Sequence, residues 1–183
     1  MYKLEFEKAV ERTKAFKLEC PEVVFFGGTL LTAERMKKFP YVLRDAVGEI
    51  SIEELVAQCL SIHYRLSEVM AELFDTPCYF TIGYVDTVDR LMFHQSEQDL
   101  RELLQSGING SSLNIHAWLT LPTMEIMDFS LPTSYAIVNE MKEGIGGLIA
   151  THADSLTSGM KYHPMLVGED FLRKCGGLIE FGI

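Results

Sequence analysis

The chain lacks the long apolar segments that mark membrane and secreted proteins. Its longest uninterrupted apolar stretch, residues 23–31, already contains Gly27, Gly28 and Thr29, whereas a membrane-spanning helix needs about 20 apolar residues. The N-terminus mixes charges of both signs from its third residue and has neither the basic start nor the apolar stretch of a secretion signal. We therefore expect no membrane association and a cytoplasmic location.

Cysteine motifs and positive charge are also scarce. The four cysteines, Cys20, Cys59, Cys78 and Cys175, are far apart and form no C-x-x-C motif, so neither a disulfide scaffold nor a zinc ribbon is indicated and we expect free thiols. Sixteen Lys and Arg stand against 26 Asp and Glu, which gives a formal charge of −10. This charge disfavours binding to nucleic-acid phosphates or to anionic lipid.

The overall composition is that of an ordinary folded domain. The sequence is 48% hydrophobic and 23% charged, close to the average for soluble globular proteins. Its 183 residues are about the length of one domain, and no repeat or linker-like segment divides them. The sequence therefore predicts a single domain over residues 1–183.

Hydrophobic periodicity divides most of the chain into short helices and strands. Helical patterns cover residues 1–17, 32–38, 42–47, 51–74, 96–105, 131–142 and 169–175, with Pro40 separating the second from the third. Strand patterns cover residues 78–85, 114–121, 124–129, 147–151 and 178–181, and residues 23–26 fit either a short strand or a loop. Because the helices mostly precede the strands, this order predicts an α+β fold rather than a doubly wound parallel one.

Three polar residues lie within apolar patterns and together could form a catalytic site with an activated thiolate: Cys59, His116 and Asp128. In such a site an imidazole accepts the thiol proton while a carboxylate holds the other ring nitrogen. Each residue also has a structural alternative. Cys59 can be a core thiol, with Cys78 reactive in its place, His116 a hydrogen-bonded core histidine, and Asp128 the cap of a helix that begins near Ser130.

The predicted hairpin of residues 114–129 determines whether His116 and Asp128 can meet. A three-residue loop at 121–123, or an equivalent bulge, places them directly opposite each other on one face. A two-residue turn would send Asp128 to the other face. Pro122 cannot donate a ladder hydrogen bond and so belongs in the loop, and we expect the three-residue form.

The order of these residues resembles the transglutaminase-like branch of the papain-like cysteine enzymes. The resemblance is carried by Cys59 leading into LSIHYRLSEVMAELF, then Pro77 and the strand CYFTIGYV, then IHAWLTL, and then EIMDFS. It implies an α+β papain-like core in which the helix carrying the cysteine packs on an antiparallel sheet. It also implies that Cys59 is the nucleophile, that His116 is the base and that Asp128 orients His116.

The resemblance implies amide chemistry on a peptide or protein substrate, by hydrolysis, deamidation or acyl transfer, without a cofactor. A backbone amide or Gln58 would supply the oxyanion contact. The alternative is a catalytically inactive acidic interaction protein on the same fold, which the lack of a glycine directly before Cys59 favours. Cys59 and His63 also have the i, i+4 spacing of metal ligands, but no second pair lies nearby and we predict no metal site.

Overall fold

The computed structural model describes residues 1–48, 51–52, 59–108, 114–157 and 159–177. Its α-helices are α1 (Tyr2–Ala15), α2 (Ala33–Met36), α3 (Phe39–Val47), α4 (Cys59–Phe74), α5 (Glu97–Ser106), α6 (Leu131–Val138) and α7 (Asp170–Cys175). Its strands are β1 (Tyr79–Asp86), β2 (Leu91–Met92), β3 (His116–Thr120), β4 (Glu125–Asp128), β5 (Ile149–His152) and β6 (Lys161–Val167). The fold is α+β with antiparallel strand pairing, which confirms the predicted class.

The internal contacts of the chain define two compact units. The first contains Met1–Glu22, Thr81–His116 and Leu156–Ile183, and the second contains Val23–Phe80 and Ala117–Ser155. Each unit is therefore assembled from segments that are distant in sequence.

In the first unit, α1 packs against β6. The hydroxyl of Thr13 donates to the carbonyl oxygen of Ala9 at 2.8 Å and accepts the backbone N–H of Val167 at 2.9 Å. Near the start of the helix, Oε2 of Glu5 lies 2.7 Å from Nδ1 of His163. One buried and one partly buried polar contact thus fix the register of the helix on the strand.

Strand β6 was missed by the sequence patterns because a bulge and a proline interrupt it. Ile82 pairs with Leu166 and Gly83 with Pro164, so Met165 is an extra residue between the two pairs. Proline is tolerated at such irregular positions because it has no N–H for the ladder. The alternation that would reveal a strand is broken at the same point.

In the second unit, α4 buries one face, formed by Ile62, His63, Leu66, Met70 and Phe74. The sequence pattern predicted a helix here with His63, Leu66 and Met70 on its buried stripe. It also placed Cys59 and Leu73 on that stripe, but these two are partly exposed, and Ile62 and Phe74 are buried instead. The neighbours of the buried face include the aromatic rings of α3 and of the residue that follows β4. The ring of Phe39 meets those of Phe74 and Phe129 edge-on, at centroid distances of 6.2 and 6.0 Å.

Several element boundaries differ from the predictions. Pro40 does not separate two helices, because it lies in the first turn of α3, where its missing N–H has no helical partner to lose. Helix α6 ends at Val138 rather than at residue 142. The predicted strand at residues 178–181 lies outside the described residues.

Among the residues that the structure describes, no helix is both long and apolar enough to span a membrane.

Candidate active site

The β3–β4 hairpin has an odd loop, but its register differs from the predicted one. Thr120 pairs with Ile126, whereas a loop at residues 121–123 would pair it with Met124. The loop is instead formed by residues 122–124, and Met124 adopts a φ of 63°. This left-handed residue closes the turn as in three-residue hairpin loops with a bulge.

The observed register changes which residue lies opposite Asp128. Leu119 pairs with Met127, so the ladder continued by one residue places Trp118 opposite Asp128. The predicted direct pairing of His116 with Asp128 is therefore wrong. Side chains two positions apart share a strand face, so His116 lies on the same face of β3 as Trp118.

Asp128 is completely buried at the end of β4 and binds the start of α6. Its Oδ1 accepts the backbone N–H of Ser130 at 3.0 Å and that of Leu131 at 2.9 Å. The hydroxyl of Ser130 lies 3.4 Å from the same oxygen. These bonds satisfy amides that have no partner within the helix. The structure thus confirms the helix-capping role considered for Asp128, and the capping bonds fix the orientation of the carboxylate.

His63 of α4 joins the start of its own helix to the end of β4. Its ring is completely buried, with Nδ1 2.7 Å from the carbonyl oxygen of Cys59. On the other side, Nε2 accepts the backbone N–H of Phe129 at 3.0 Å and lies 3.5 Å from Oδ1 of Asp128. A carbonyl oxygen can only accept and a backbone amide can only donate. The ring is therefore the neutral tautomer with its proton on Nδ1.

This geometry excludes His63 as the base for Cys59. Both of its ring nitrogens are bonded to backbone groups, and its ring packs on that of Phe129 at a centroid distance of 5.8 Å. The i, i+4 spacing of Cys59 and His63 suggested only a metal ligand, and the bridging role of His63 was not predicted. The available signal was a histidine on the buried stripe of an amphipathic helix, where a polar ring needs buried partners.

The four cysteines differ in their surroundings, and all are free thiols, as predicted. Cys59 is partly exposed at the first described residue of α4. Desolvation raises the pKa of Cys78 far above that of an ordinary thiol, so Cys78 is a poor nucleophile at neutral pH. Gln58, the predicted oxyanion contact, lies outside the described residues.

His116 is the first residue of β3 and belongs to the first unit. Its ring is almost fully buried and stacks on that of Phe93, with a centroid distance of 4.9 Å and an interplanar angle of 19°. This stacking fixes the plane of the imidazole. A fixed ring is a requirement for a base that must meet its substrate in one geometry.

Glu125 is a buried carboxylate that the sequence analysis did not single out. It accepts the backbone N–H groups of Leu30 at 2.7 Å and Leu31 at 3.2 Å, the hydroxyl of Thr123 at 2.6 Å and that of Thr29. Burial alone would raise the pKa of Glu125, but these hydrogen bonds outweigh it and lower the pKa below its usual value. The carboxylate thereby anchors the segment before α2 to the hairpin.

Neither metal-binding side chains nor similarity to known proteins assigns a function to the described residues. Within the described part of the chain, no group of three or more His, Cys, Asp or Glu side chains is arranged to hold a metal ion. No family model, curated protein or solved structure matches the chain. The described side chains and the order of Cys59, His116 and Asp128 therefore carry the functional proposal.

Proposed function

We propose that this protein is a cysteine-dependent enzyme of the papain-like, transglutaminase-like type that acts on amides of peptides or proteins. The thiol of Cys59 passes its proton to His116 and attacks the amide carbonyl carbon. The C–N bond then breaks, and His116 returns the proton to the departing amine. Water or a second amine displaces the thiolate from the acyl-enzyme. No cofactor takes part.

The observation that carries this proposal is the environment of Asp128. Its carboxylate is fully buried, and two backbone N–H groups bind one of its oxygens. Such bonds stabilise the anionic form and hold it in one orientation. An anion of fixed orientation is what an acid needs if it is to hold the tautomer of a catalytic imidazole.

The surroundings of the thiols support Cys59 as the nucleophile. Cys59 and Cys78 are both partly exposed and Cys175 is buried, but desolvation raises the pKa of Cys78 and of Cys175. Burial also raises the pKa of Cys20, against the weaker opposite influence of Lys14. Four unpaired cysteines are also in keeping with a reducing compartment such as the cytoplasm.

A second candidate function is that of a catalytically inactive interaction protein. The last turn of α6 and the segment that follows it expose five large apolar side chains: Ile137, Val138, Met141, Ile145 and Leu148. Exposed apolar groups of this kind are common at protein–protein contacts. In this alternative Cys59 needs no activation.

Alkylation with iodoacetamide at pH 6, read at each cysteine by peptide mass spectrometry, separates the two functions. A thiolate stabilised by His116 reacts fast at this pH, whereas an ordinary thiol is almost fully protonated. We expect Cys59 to react much faster than Cys20 and to lose this advantage in His116→Ala. His152→Ala, a substitution of a histidine on β5, serves as the control and should leave the rate unchanged.

Two results would contradict the enzyme proposal. One is a rate at Cys59 no higher than that at Cys20. The other is a fast rate at Cys59 that His116→Ala does not change. Either result favours the interaction protein.

A further inference from the structure

We propose that His63 is a positioning residue, which sets the backbone at Cys59 relative to Asp128. This inference rests on the proposed function, because it assigns His63 a part in the same site. It concerns only residues of the second unit. In this role His63 acts through the two residues that it connects.

The hydrogen bonds of His63 form one path between the start of α4 and the end of β4. The Nδ1–H of His63 donates to the carbonyl oxygen of Cys59, and Nε2 accepts the N–H of Phe129, the residue directly after Asp128. One rigid ring thus links the backbone of the candidate nucleophile to the backbone of the candidate orienting acid. Both bonds involve a completely buried ring, where water does not compete for them.

The contacts of His63 also determine the charge state of its ring. The two backbone partners hold His63 as the neutral Nδ1–H tautomer, although Nε2 lies only 3.5 Å from Oδ1 of Asp128. A protonated His63 would pair with this carboxylate and compete with His116 for it. The neutral ring cannot form an ion pair with Asp128, and its two backbone hydrogen bonds still fix the distance between α4 and β4.

An apolar side chain cannot replace His63. Leucine would fill part of the space but would offer no acceptor to the N–H of Phe129 and no donor to Cys59. Small displacements matter in such a site, because a shift of about 1 Å at the reacting groups can cost about 100-fold in rate. The two hydrogen bonds of His63 therefore have a function beyond packing.

The test uses the full-length chain and measures alkylation of Cys59 by iodoacetamide at pH 6. The principal variant is His63→Gln, whose side-chain oxygen can accept from Phe129 but cannot also reach Cys59. The counterpart is His63→Asn. The amide nitrogen of the asparagine lies near the position of Nδ1, so this variant keeps only the hydrogen bond to Cys59. His152→Gln, on β5, is the matched control. Circular dichroism and urea titration verify that each variant folds.

We expect both His63 variants to slow alkylation of Cys59 by roughly 10- to 100-fold, and the control to react at the rate of the parent chain. In a His116→Ala background, His63→Gln should cause no further loss, because positioning acts only through the catalytic arrangement. A rate equal to that of the parent chain overturns the inference. So does an equal loss in both backgrounds, which would indicate a general structural effect.

The outcome for His116 separates this inference from the proposed function. If His116→Ala alone leaves the rate at Cys59 unchanged, the proposed function fails, and the positioning role fails with it. If His116→Ala slows the reaction but His63→Gln and His63→Asn do not, only the positioning role fails. Nitrogen-15 NMR of the imidazole gives a readout independent of reactivity. We expect a neutral ring protonated at Nδ1, and a ring protonated at Nε2 overturns the inference.

Discussion

Replacing Glu125 with glutamine tests whether one buried carboxylate anchors the segment before α2. Each carboxylate oxygen accepts one backbone N–H and one threonine hydroxyl. In Glu125→Gln one oxygen becomes an NH2 group. The hydroxyls can rotate to accept from it, but a backbone N–H cannot. Whichever way the amide turns, the N–H of either Leu30 or Leu31 loses its acceptor.

The expected loss of stability follows from these contacts. A buried donor left unsatisfied costs about 1–3 kcal/mol, and hydrogen bonds to a neutral acceptor are each weaker by about 1 kcal/mol than those to a charged one. These effects overlap, and we expect Glu125→Gln to lower the free energy of unfolding by about 2–4 kcal/mol at pH 7. Neutralising an exposed carboxylate should change it by less than about 0.5 kcal/mol.

The pH dependence has a definite sign. The pKa of Glu125 is lowered in the folded chain, so its stabilising contribution is fully present above the pKa of an unfolded glutamate, about 4.3. The contribution is lost as the pH falls from there through the lower pKa of the folded state. The stability difference between the parent chain and Glu125→Gln should therefore be constant from pH 5 to 7 and shrink below about pH 4.3.

Urea titration of the parent chain, Glu125→Gln and Glu68→Gln measures these differences. Glu68 is exposed on α4, so its substitution makes the same change of charge without the buried contacts. A loss in Glu125→Gln no larger than that in Glu68→Gln would refute the anchoring role. So would a difference that stays constant down to pH 3.

Three further predictions follow from other sites. Asp128→Asn keeps the Oδ1 acceptor for α6 but makes it neutral, so it should lower the free energy of unfolding less than Asp128→Ala, which loses the acceptor and should cost about 1–2 kcal/mol. Asp128→Asn should also cut turnover by orders of magnitude, and full turnover in this variant would remove the residue from the triad. Burial raises the pKa of Cys78, so iodoacetamide at pH 8 should leave Cys78 unmodified while it alkylates Cys59. Peptide mass spectrometry measures both, and equal labelling of the two cysteines would contradict this prediction. Gly144 has a φ of 98°, and a Cβ at this position would lie 3.0 Å from a backbone carbonyl oxygen. Gly144→Ala should therefore lower the free energy of unfolding, measured by urea titration, by about 1–2 kcal/mol. Gly146→Ala, where nothing lies within 4 Å of the added carbon, should cost less, and the reverse order would contradict the steric argument.

Local sequence patterns were sufficient for most helices and for the fold class. The stripe that contains Leu66 and Met70 on α4 and the capped helix that begins at Ser96 are both present in the structure. Such features depend on residues three or four positions apart, and neighbours at that spacing are fixed by the helix itself. The position of Pro122 in the β3–β4 loop was also predictable, because Pro122 cannot donate a hydrogen bond to the ladder.

Tertiary structure decided the partners of the buried polar groups. The position of the loop, one residue later than predicted, depends on whether Met124 adopts a left-handed backbone, and residues of this type rarely do so without support from their surroundings. Glu125 is charged in sequence but buried in the fold, because amides from residues 30 and 31 reach it. His63 was recognisable as a buried histidine, yet its acceptor and donor roles depend on Phe129, 66 positions away in the chain. Periodicity shows which side chains are buried, whereas the partners of buried polar atoms are set by long-range packing, since each such atom needs a partner that only the folded chain supplies.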